Sequence, residues 1–239
     1  MRRPGRSLCI WLGVILMVAM LVGACAQDPA SGPAVEGGTL KVAIIGNPPT
    51  LDIMTTTASV VHYTMWHVFE PLFTMDANYD PIPHLVDTWS VSEDGLTYEF
   101  NLRQGVPFHN GEEMTAADAV ASLERFGVRA TWGRNLFEVM DSLTADGDHK
   151  VVMKLTEPVA IVPLYLTSTS AVVMPKEILE AAGEGNVEEF IGTGPFEYVE
   201  YQPDQHIKLK RFEDYASRDE EPNGYGGSRT AYVDRKSVV

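Results

Sequence analysis

Cysteine is almost absent from this chain of 239 residues, which carries only Cys9 and Cys25. If Cys9 leaves with an N-terminal leader, the mature chain keeps a single cysteine and can form no internal disulfide. Stability must then come from an ordinary hydrophobic core, which roughly two hundred residues can supply.

Basic side chains are also scarce, at 18 Lys and Arg against 33 Asp and Glu. Three of them, Arg2, Arg3 and Arg6, precede every acidic residue, so the chain beyond has 15 basic and 33 acidic residues and a formal charge of −18. That charge disfavours nucleic-acid binding, which needs a basic face, and it disfavours broad adhesion to anionic lipid. It mildly favours a cationic ligand, but its main meaning is solubility.

Catalytic and nucleotide-binding motifs are missing as well. The sequence has no G-x-S-x-G elbow, no activated cysteine and no carboxylate pair that it places together. The segment Gly192-Thr193-Gly194-Pro195 lacks the lysine and the spacing of a phosphate loop, so we interpret it as a turn. No H-E-x-x-H or Cys/His cluster occurs, so the sequence predicts no enzyme, no cofactor and no metal site. Hydrogen-bonded or surface roles are expected for the histidines, which are His62, His67, His84, His109, His149 and His206.

The first 24 residues have the order of features typical of an export signal. A basic start is followed by an uncharged, mostly apolar run over residues 8–26 and by small residues. Val22-Gly23-Ala24-Cys25 resembles the bacterial lipobox, whose cysteine sulfur takes the diacylglycerol, although the apolar run is also long enough for a plain membrane anchor. Residues 27–38, rich in Ala, Gly, Pro and Ser, indicate a flexible tether. We therefore expect a lipoprotein with signal peptide 1–24, lipidation at Cys25 and tether 25–36.

Hydrophobic periodicity predicts hairpins and scattered helices rather than regular alternation of strand and helix. Residues 39–45 indicate a buried strand, and residues 60–69 indicate a helix that Pro71 ends. Two Asp-Gly pairs favour hairpin turns, one between strands 89–91 and 96–102, and the other between a strand ending near 145 and strand 150–155. Thr115 and Asp118 fit a capping box at the start of a helix. Further expected elements are a short helix between Pro175 and Gly183, a hairpin of 196–201 with 206–212, and a strand-like segment 231–233.

Three ordered segments resemble the extracellular solute-binding proteins of family 5, which include oligopeptide-, dipeptide- and nickel-binding components of ABC importers. Residues 85–126 carry the signature stretch, with the turn Gly105-Val106-Pro107-Phe108-His109-Asn110-Gly111 before the helix start at Thr115. Residues 37–73 resemble the opening of the family through Leu51-Asp52 and Phe69-Glu70, although Ile53 stands where the family usually has Pro. Residues 191–215 resemble its return segment.

This resemblance implies a two-lobe α/β fold, the type II periplasmic-binding-protein-like fold, of which only the first lobe is expected here. The main subdomain would comprise residues 37–68 and 191–239, with a smaller α+β subdomain, residues 69–190, inserted between them. Family members are much longer, so we expect an N-terminal fragment whose polar, Gly-rich tail (219–239) stops without a terminal element.

The implied function is capture of a solute outside the membrane, with a peptide as the expected solute, and its delivery to an ABC permease powered by a separate ATPase subunit. Main-chain hydrogen bonds to an extended peptide are expected, with side-chain pockets giving tolerance. The segment after the first strand suggests Thr56, Thr57, Ala58 and Ser59 as ligand-binding residues; the alternative is a polar loop in which Ser59 caps the helix. Trp132 could cover an apolar ligand side chain, or it could fill the core of the smaller subdomain.

The resemblance is less specific for the ligand than for the family. A nickel chelate, an opine or an oligosaccharide stays open as the solute. Rivals of another class are a lipid-anchored hydrolase, which would need a nucleophile and base that the sequence does not show, and a structural envelope lipoprotein. The expected location is the outer face of the cell membrane, toward the periplasm or the cell exterior, with the lipid group as the membrane contact.

Overall fold

The computed structural model describes residues 36–239, so the predicted signal peptide, the lipidation site Cys25 and nearly all of the predicted tether lie outside the described residues. No helix within 36–239 combines the length and the apolar character needed to cross a membrane.

Strands dominate the described chain, with short helices between them. The strands are β1 (Thr39–Val42), β2 (Phe73–Met75), β3 (Pro81–Pro83), β4 (Val86–Val91), β5 (Thr97–Leu102), β6 (Met140–Ala145), β7 (Lys150–Leu155), β8 (Phe196–Gln202), β9 (His206–Arg211) and β10 (Arg235–Val238). The helices are α1 (Ser59–Met65), α2 (Ala116–Arg129), α3 (Thr131–Phe137), α4 (Val162–Tyr165) and α5 (Lys176–Ala182).

Two four-stranded sheets and one two-stranded ribbon organise these elements. The first sheet has the order β1-β10-β9-β8, with β1 parallel to β10 and the other neighbours antiparallel. The second sheet has the order β4-β5-β7-β6 and is antiparallel throughout. Its two hairpins turn at Gly95 and Gly147, whose φ angles of 74° and 72° are the left-handed values that Asp-Gly turns require. The predicted hairpins are therefore confirmed.

Helix α2 begins at the residue that its capping box predicts. The Thr115 side chain accepts a hydrogen bond from the Asp118 backbone N–H, and the Asp118 carboxylate accepts one from the Thr115 N–H at 2.8 Å. The buried side chains of the helix include Ala119, Leu123 and Phe126, which recur at helical spacing and pack on the core of the second sheet. The helix thereby closes one face of that sheet.

Each four-stranded sheet has its own hydrophobic core. The core of the second sheet includes Phe73, Phe100 and Phe126, and the core of the first sheet includes Met65, Phe196 and Leu209. Side chains from the segment 172–187, among them Met174, Leu179 and Val187, pack in the first-sheet core. The division of the chain at residues 68 and 190 into main and inserted subdomains stays a prediction.

Two strand predictions need correction. All four residues of β1 are exposed, Leu40 to 45%, and none of them belongs to the buried core of the first sheet, whereas the composition predicted a buried strand. The strand near the end of the chain is β10, not residues 231–233. The regular ladder starts where Thr39 meets Arg235, because Gly37 and Gly38, with φ angles of 94° and 81°, are not in strand conformation. Residues 231–233 are held there by a single main-chain bond, in which the Gly37 N–H donates to the Tyr232 carbonyl at 2.7 Å.

A histidine with a lowered pKa lies at the edge of the first-sheet core. The Lys236 Nζ lies 3.2 Å from the Nδ1 of His67 and 4.2 Å from the centroid of the Phe196 ring. Burial, followed by the positive charges of Lys236 and Arg229, lowers the pKa of His67 from 6.5 to about 4. The folded protein therefore keeps this ring neutral at pH values where the unfolded chain protonates it.

We expect stability to decline as the pH falls from 6.5 to 4, because over this window the unfolded chain binds a proton that the folded chain refuses. The His67 contribution should amount to about 3 kcal/mol of unfolding free energy. Urea unfolding at a series of pH values, compared with His67→Gln, measures it. If the free energy of unfolding depends on pH equally in both proteins, the lowered pKa of His67 is contradicted.

Candidate ligand-binding groove

Three of the five residues predicted for ligand binding, Thr56, Thr57 and Trp132, line one groove of about 610 Å³. Its walls come from the loop before α1, from α1 itself, from β2, and from the α2–α3 junction. A further wall follows α4. In order, the lining residues are 54–57, His62, Trp66, Thr74, Met75, 129–132, Arg134 and 167–170. A larger concavity of about 830 Å³ lies over the second sheet, but charged side chains such as Asp87 and Lys150 line it and no predicted ligand residue reaches it.

Thr56 and Thr57 line the groove, whereas Ala58 and Ser59 do not. Ala58 is the residue before α1, and Ser59 is its first residue. No side chain caps this helix, so the alternative in which Ser59 is the cap is wrong. Instead, Thr56 holds the loop, since its Oγ1 accepts from the Ala58 N–H at 3.1 Å and its carbonyl lies 2.8 Å from the Nε2 of His62. The ligand role of the segment stays a prediction.

Asp52 fixes the loop that carries these threonines. The carboxylate is buried, accepts from the Met54 N–H at 3.0 Å, and forms an ion pair of 2.7 Å with Arg125 from α2. The same carboxylate accepts from the Val187 N–H at 3.1 Å, and Arg125 donates to the carbonyls of Gly183 and Gly185. Asp52, from the Leu51-Asp52 pair noted in the sequence, therefore helps to hold the groove loop in place. The sequence did not predict its partner Arg125.

Trp132 lies on α3 at the opposite wall and is 44% exposed. Its ring meets that of Tyr165 edge-to-face, with the centroids 5.9 Å apart. The alternative in which Trp132 fills a core is therefore wrong. Gly133 explains the placement, because any Cβ at this position would collide with the carbonyl of Phe126, and so α3 can cross close over the end of α2.

The charge of the groove is opposite to that of the chain. Arg129 and Arg134 supply the positive charges of its lining, and no carboxylate lines it. Arg129 donates to the Glu184 carbonyl at 2.8 Å, and Arg134 donates to the Val128 carbonyl at 3.2 Å and to the Thr131 Oγ1 at 3.0 Å. Each guanidinium has five N–H donors, so both retain capacity for an anionic group. The lining does not favour the cationic ligand that the net charge suggested.

Trp66, which lines the groove, forms an aromatic pair that the sequence did not predict. The Trp66 ring stacks on the Tyr225 ring, with the centroids 5.2 Å apart and the planes 25° from parallel. The Tyr225 N–H donates to the Met75 carbonyl at 2.8 Å, and the guanidinium of Arg229 donates to the Tyr225 carbonyl. The late segment around Tyr225 is thereby fixed beside β2.

Glu70 anchors that late segment from inside the protein. Its buried carboxylate accepts from the Tyr215 hydroxyl at 2.7 Å, His84 Nε2 at 2.9 Å, Thr193 Oγ1 at 2.9 Å and Arg229 at 3.1 Å. Burial alone would raise the pKa of Glu70, but these partners lower it to about 2. Burial also lowers the pKa of His84, so we assign the ionic charges to Glu70 and Arg229 and treat His84 as a neutral donor.

His109 has the structural role that the sequence predicted. Its Nδ1 accepts from the Gly192 N–H at 3.2 Å, and its Nε2 lies 2.9 Å from the Gly194 carbonyl. Both bonds hold the Gly192-Thr193-Gly194-Pro195 turn. Burial lowers the pKa of His109, which keeps the ring a neutral bridge. Across residues 36–239, no three His, Cys, Asp or Glu side chains come together as a metal site would require.

Known proteins resemble this chain in sequence, both through a family profile and through individual relatives. A sequence profile of the bacterial extracellular solute-binding proteins, family 5 (middle), matches residues 80–236. A probable peptide ABC transporter periplasmic-binding protein of Sinorhizobium fredii is 32% identical over 199 residues, which are 82% of this chain and 37% of that protein.

Two solved structures share the fold. The oligopeptide-binding protein AppA from Bacillus subtilis, in complex with a nonapeptide, matches with a TM-score of 0.69 and 25% identity over 86% of this chain and 40% of its own. The binding protein AgaA from A. tumefaciens R10, in complex with agropinic acid, matches with a TM-score of 0.73 and 24% identity over 84% of this chain and 39% of its own. The predicted α/β periplasmic-binding-protein-like fold is confirmed. The chain spans about two fifths of the length of these relatives, an extent consistent with one lobe.

Proposed function

This chain belongs to the bacterial extracellular solute-binding proteins of family 5, and we propose that it is the solute-capturing component of an ABC importer, with a peptide as its solute. The observation that carries the proposal is the groove that brings Thr56, Thr57 and Trp132 together beside Arg129 and Arg134. Hydroxyls, an exposed indole and two guanidinium groups are the donors and surfaces that a short peptide can engage.

The two arginines indicate the direction in which a peptide would lie in the groove. A carboxylate is the group that a guanidinium recognises best, through paired N–H donors. We therefore place the C-terminal carboxylate of the peptide at Arg129 and Arg134, with an apolar side chain against Trp132. Thr56 and Thr57 then face the main chain of the peptide.

The cellular setting extends this proposal. The lipobox-like Cys25 and the polar segment after it support a lipoprotein that is tethered outside the cytoplasmic membrane. Delivery would pass from this protein to a permease, with a separate ATPase subunit supplying the energy, and the chain itself would catalyse no reaction. The naming of the Sinorhizobium fredii relative as a peptide transporter component supports this assignment.

A second candidate ligand is an anionic opine. The cationic lining of the groove favours it as much as it favours a peptide carboxylate, and AgaA, a protein of the same fold, was solved with agropinic acid. The two candidates differ in the amide groups that a peptide offers along its length. Competition between them separates the two assignments.

The test is a thermal-shift and calorimetric titration of the purified chain with trialanine, with trialanine amide and with agropinic acid. We expect trialanine to raise the Tm, and we expect affinity to drop about tenfold when the carboxylate is amidated or Arg134 is changed to Gln. Lys154→Gln, an exposed cation outside the groove, should leave binding unchanged. Tighter binding of agropinic acid than of trialanine, or turnover of the peptide, would overturn the proposal.

A further inference from the structure

Three polar atoms along the groove lack a hydrogen-bond partner anywhere in the described chain. They are His62 Nδ1, Trp66 Nε1 and Thr74 Oγ1, half of the six such buried side-chain atoms within residues 36–239. All three residues line the groove, and Thr74 is only 1% exposed. Because buried polar groups in folded proteins are nearly always hydrogen-bonded, three unpaired ones in a single groove point to a ligand that pairs them.

Contacts on every side hold these three residues at the same end of the groove. His62 and Trp66 are four residues apart on α1 and its final turn, where the Trp66 N–H donates to the His62 carbonyl at 3.1 Å, so their side chains are neighbours. Trp66 stacks on Tyr225, which is bonded to Met75, the residue after Thr74. Gly226 lies against Thr74, since a Cβ there would be 3.2 Å from the Thr74 methyl group.

The three atoms offer a defined hydrogen-bonding pattern. The Nε2 of His62 lies 2.8 Å from the Thr56 carbonyl, which can only accept, so we assign the ring proton to Nε2 and leave Nδ1 as an acceptor in the neutral imidazole. The indole of Trp66 can only donate, and the Thr74 hydroxyl can do either. One donor, one acceptor and one hydroxyl match a neutral group that both donates and accepts.

We infer that this end of the groove is a subsite for a backbone amide of the ligand, with the amide C=O bound by Trp66 Nε1 and Thr74 Oγ1 and the amide N–H bound by His62 Nδ1. The inference rests on the proposed function and narrows it, because the site reads a peptide bond through side chains as well as a carboxylate through Arg129 and Arg134. Metal chelates and simple carboxylates lack such an amide.

The variant Thr74→Val tests the subsite without disturbing an internal bond. Its hydroxyl has no partner in the described chain, so the variant should unfold at the same temperature or a higher one, while its affinity for trialanine falls about tenfold. Thr64→Val is the matched control, because Thr64 is equally buried in α1, its hydroxyl is bonded to the Val60 carbonyl at 2.8 Å, and it lies outside the groove lining. Its affinity for trialanine should not change.

Ester analogues of trialanine identify the group that is recognised. Replacing each amide N–H in turn with an ester oxygen should weaken binding to the native chain about tenfold for one of the two analogues. In His62→Phe, which lacks the Nδ1 acceptor for the amide N–H, that amide-to-ester ratio should shrink toward one. Trp66→Phe and Thr74→Val, which lack the donors to the C=O, should weaken binding of the amide and of the ester alike, and the Trp66 indole N–H signal in the native chain should shift when trialanine binds.

Two failures are distinguishable. If trialanine binds the native chain but Thr74→Val binds it equally well, or the amide-to-ester ratio survives in His62→Phe, the amide subsite is refuted and the peptide function stands. If trialanine does not bind the native chain, both the amide subsite and the peptide function are refuted.

Discussion

Asp52→Asn is expected to lower the free energy of unfolding by about 3–5 kcal/mol, the usual cost of breaking a buried ion pair on one side. The change removes the counter-charge 2.7 Å from the Arg125 guanidinium, which stays buried beneath the groove loop. Both residues are enclosed by the segments that they join, so water cannot replace the lost partner without opening the structure. Urea unfolding at pH 7, followed by circular dichroism, gives the difference.

Glu180→Gln provides the matched control for this pair. Its partner Lys176 is 3.4 Å away on the surface of α5, where both side chains are exposed. Such a pair contributes less than about 1 kcal/mol, since solvent screens it. A loss for Asp52→Asn as small as that of the control would mean that the buried pair does not hold the groove loop in place.

Glu70→Gln is expected to cost about 3 kcal/mol, because four donors converge on this buried carboxylate and an amide can accept from only some of them. Arg229 would lose its buried counter-charge, and the Tyr225 segment would lose its anchor. In the native chain this contribution is fully present above pH 4.5 and is lost as the pH falls from 4.5 toward about 2, since the folded protein keeps Glu70 ionised there. Unfolding free energies measured across this range should fall more steeply for the native chain than for the variant.

Glu220→Gln in the same late segment is the control for Glu70. Glu220 is 58% exposed, so water can take its place at Arg218, with which it pairs at 2.6 Å. Its replacement should change the unfolding free energy by less than about 1 kcal/mol. If both glutamate variants behave alike, Glu70 does not anchor the segment.

Local patterns allowed much of the fold to be predicted from the sequence. The capping box of Thr115 and Asp118 and the turns at Gly95 and Gly147 depend on residues that are neighbours in the chain. Each is therefore fixed by short-range sterics and hydrogen bonding, whatever the rest of the protein does. The prediction that β1 is buried failed because the surroundings of a strand depend on segments that are distant in the sequence.

The candidate site was predictable only where it coincides with one loop. Thr56 and Thr57 follow the first strand, and their position could be inferred from the order of elements along the chain. Arg125 lies 73 residues from Asp52, and Arg229 lies 159 residues from Glu70, so no spacing in the sequence signals either pair. The Trp66–Tyr225 stack could not be predicted either, because Tyr225 lies in a polar, Gly-rich tail without hydrophobic periodicity.

The first sheet imposes an order on the folding of the protein. Strand β10 lies between β1 and β9, and the bond from the Gly38 N–H to the Asp234 carboxylate closes a loop of 196 residues. The β8–β9 hairpin can form from local contacts alone, but β1 has no partner until β10 arrives. Closing so long a loop costs conformational entropy before the β1–β10 hydrogen bonds form, so this pairing is expected to be slow. The second sheet can therefore assemble early, and the first sheet is completed last, when β1 and β10 pair.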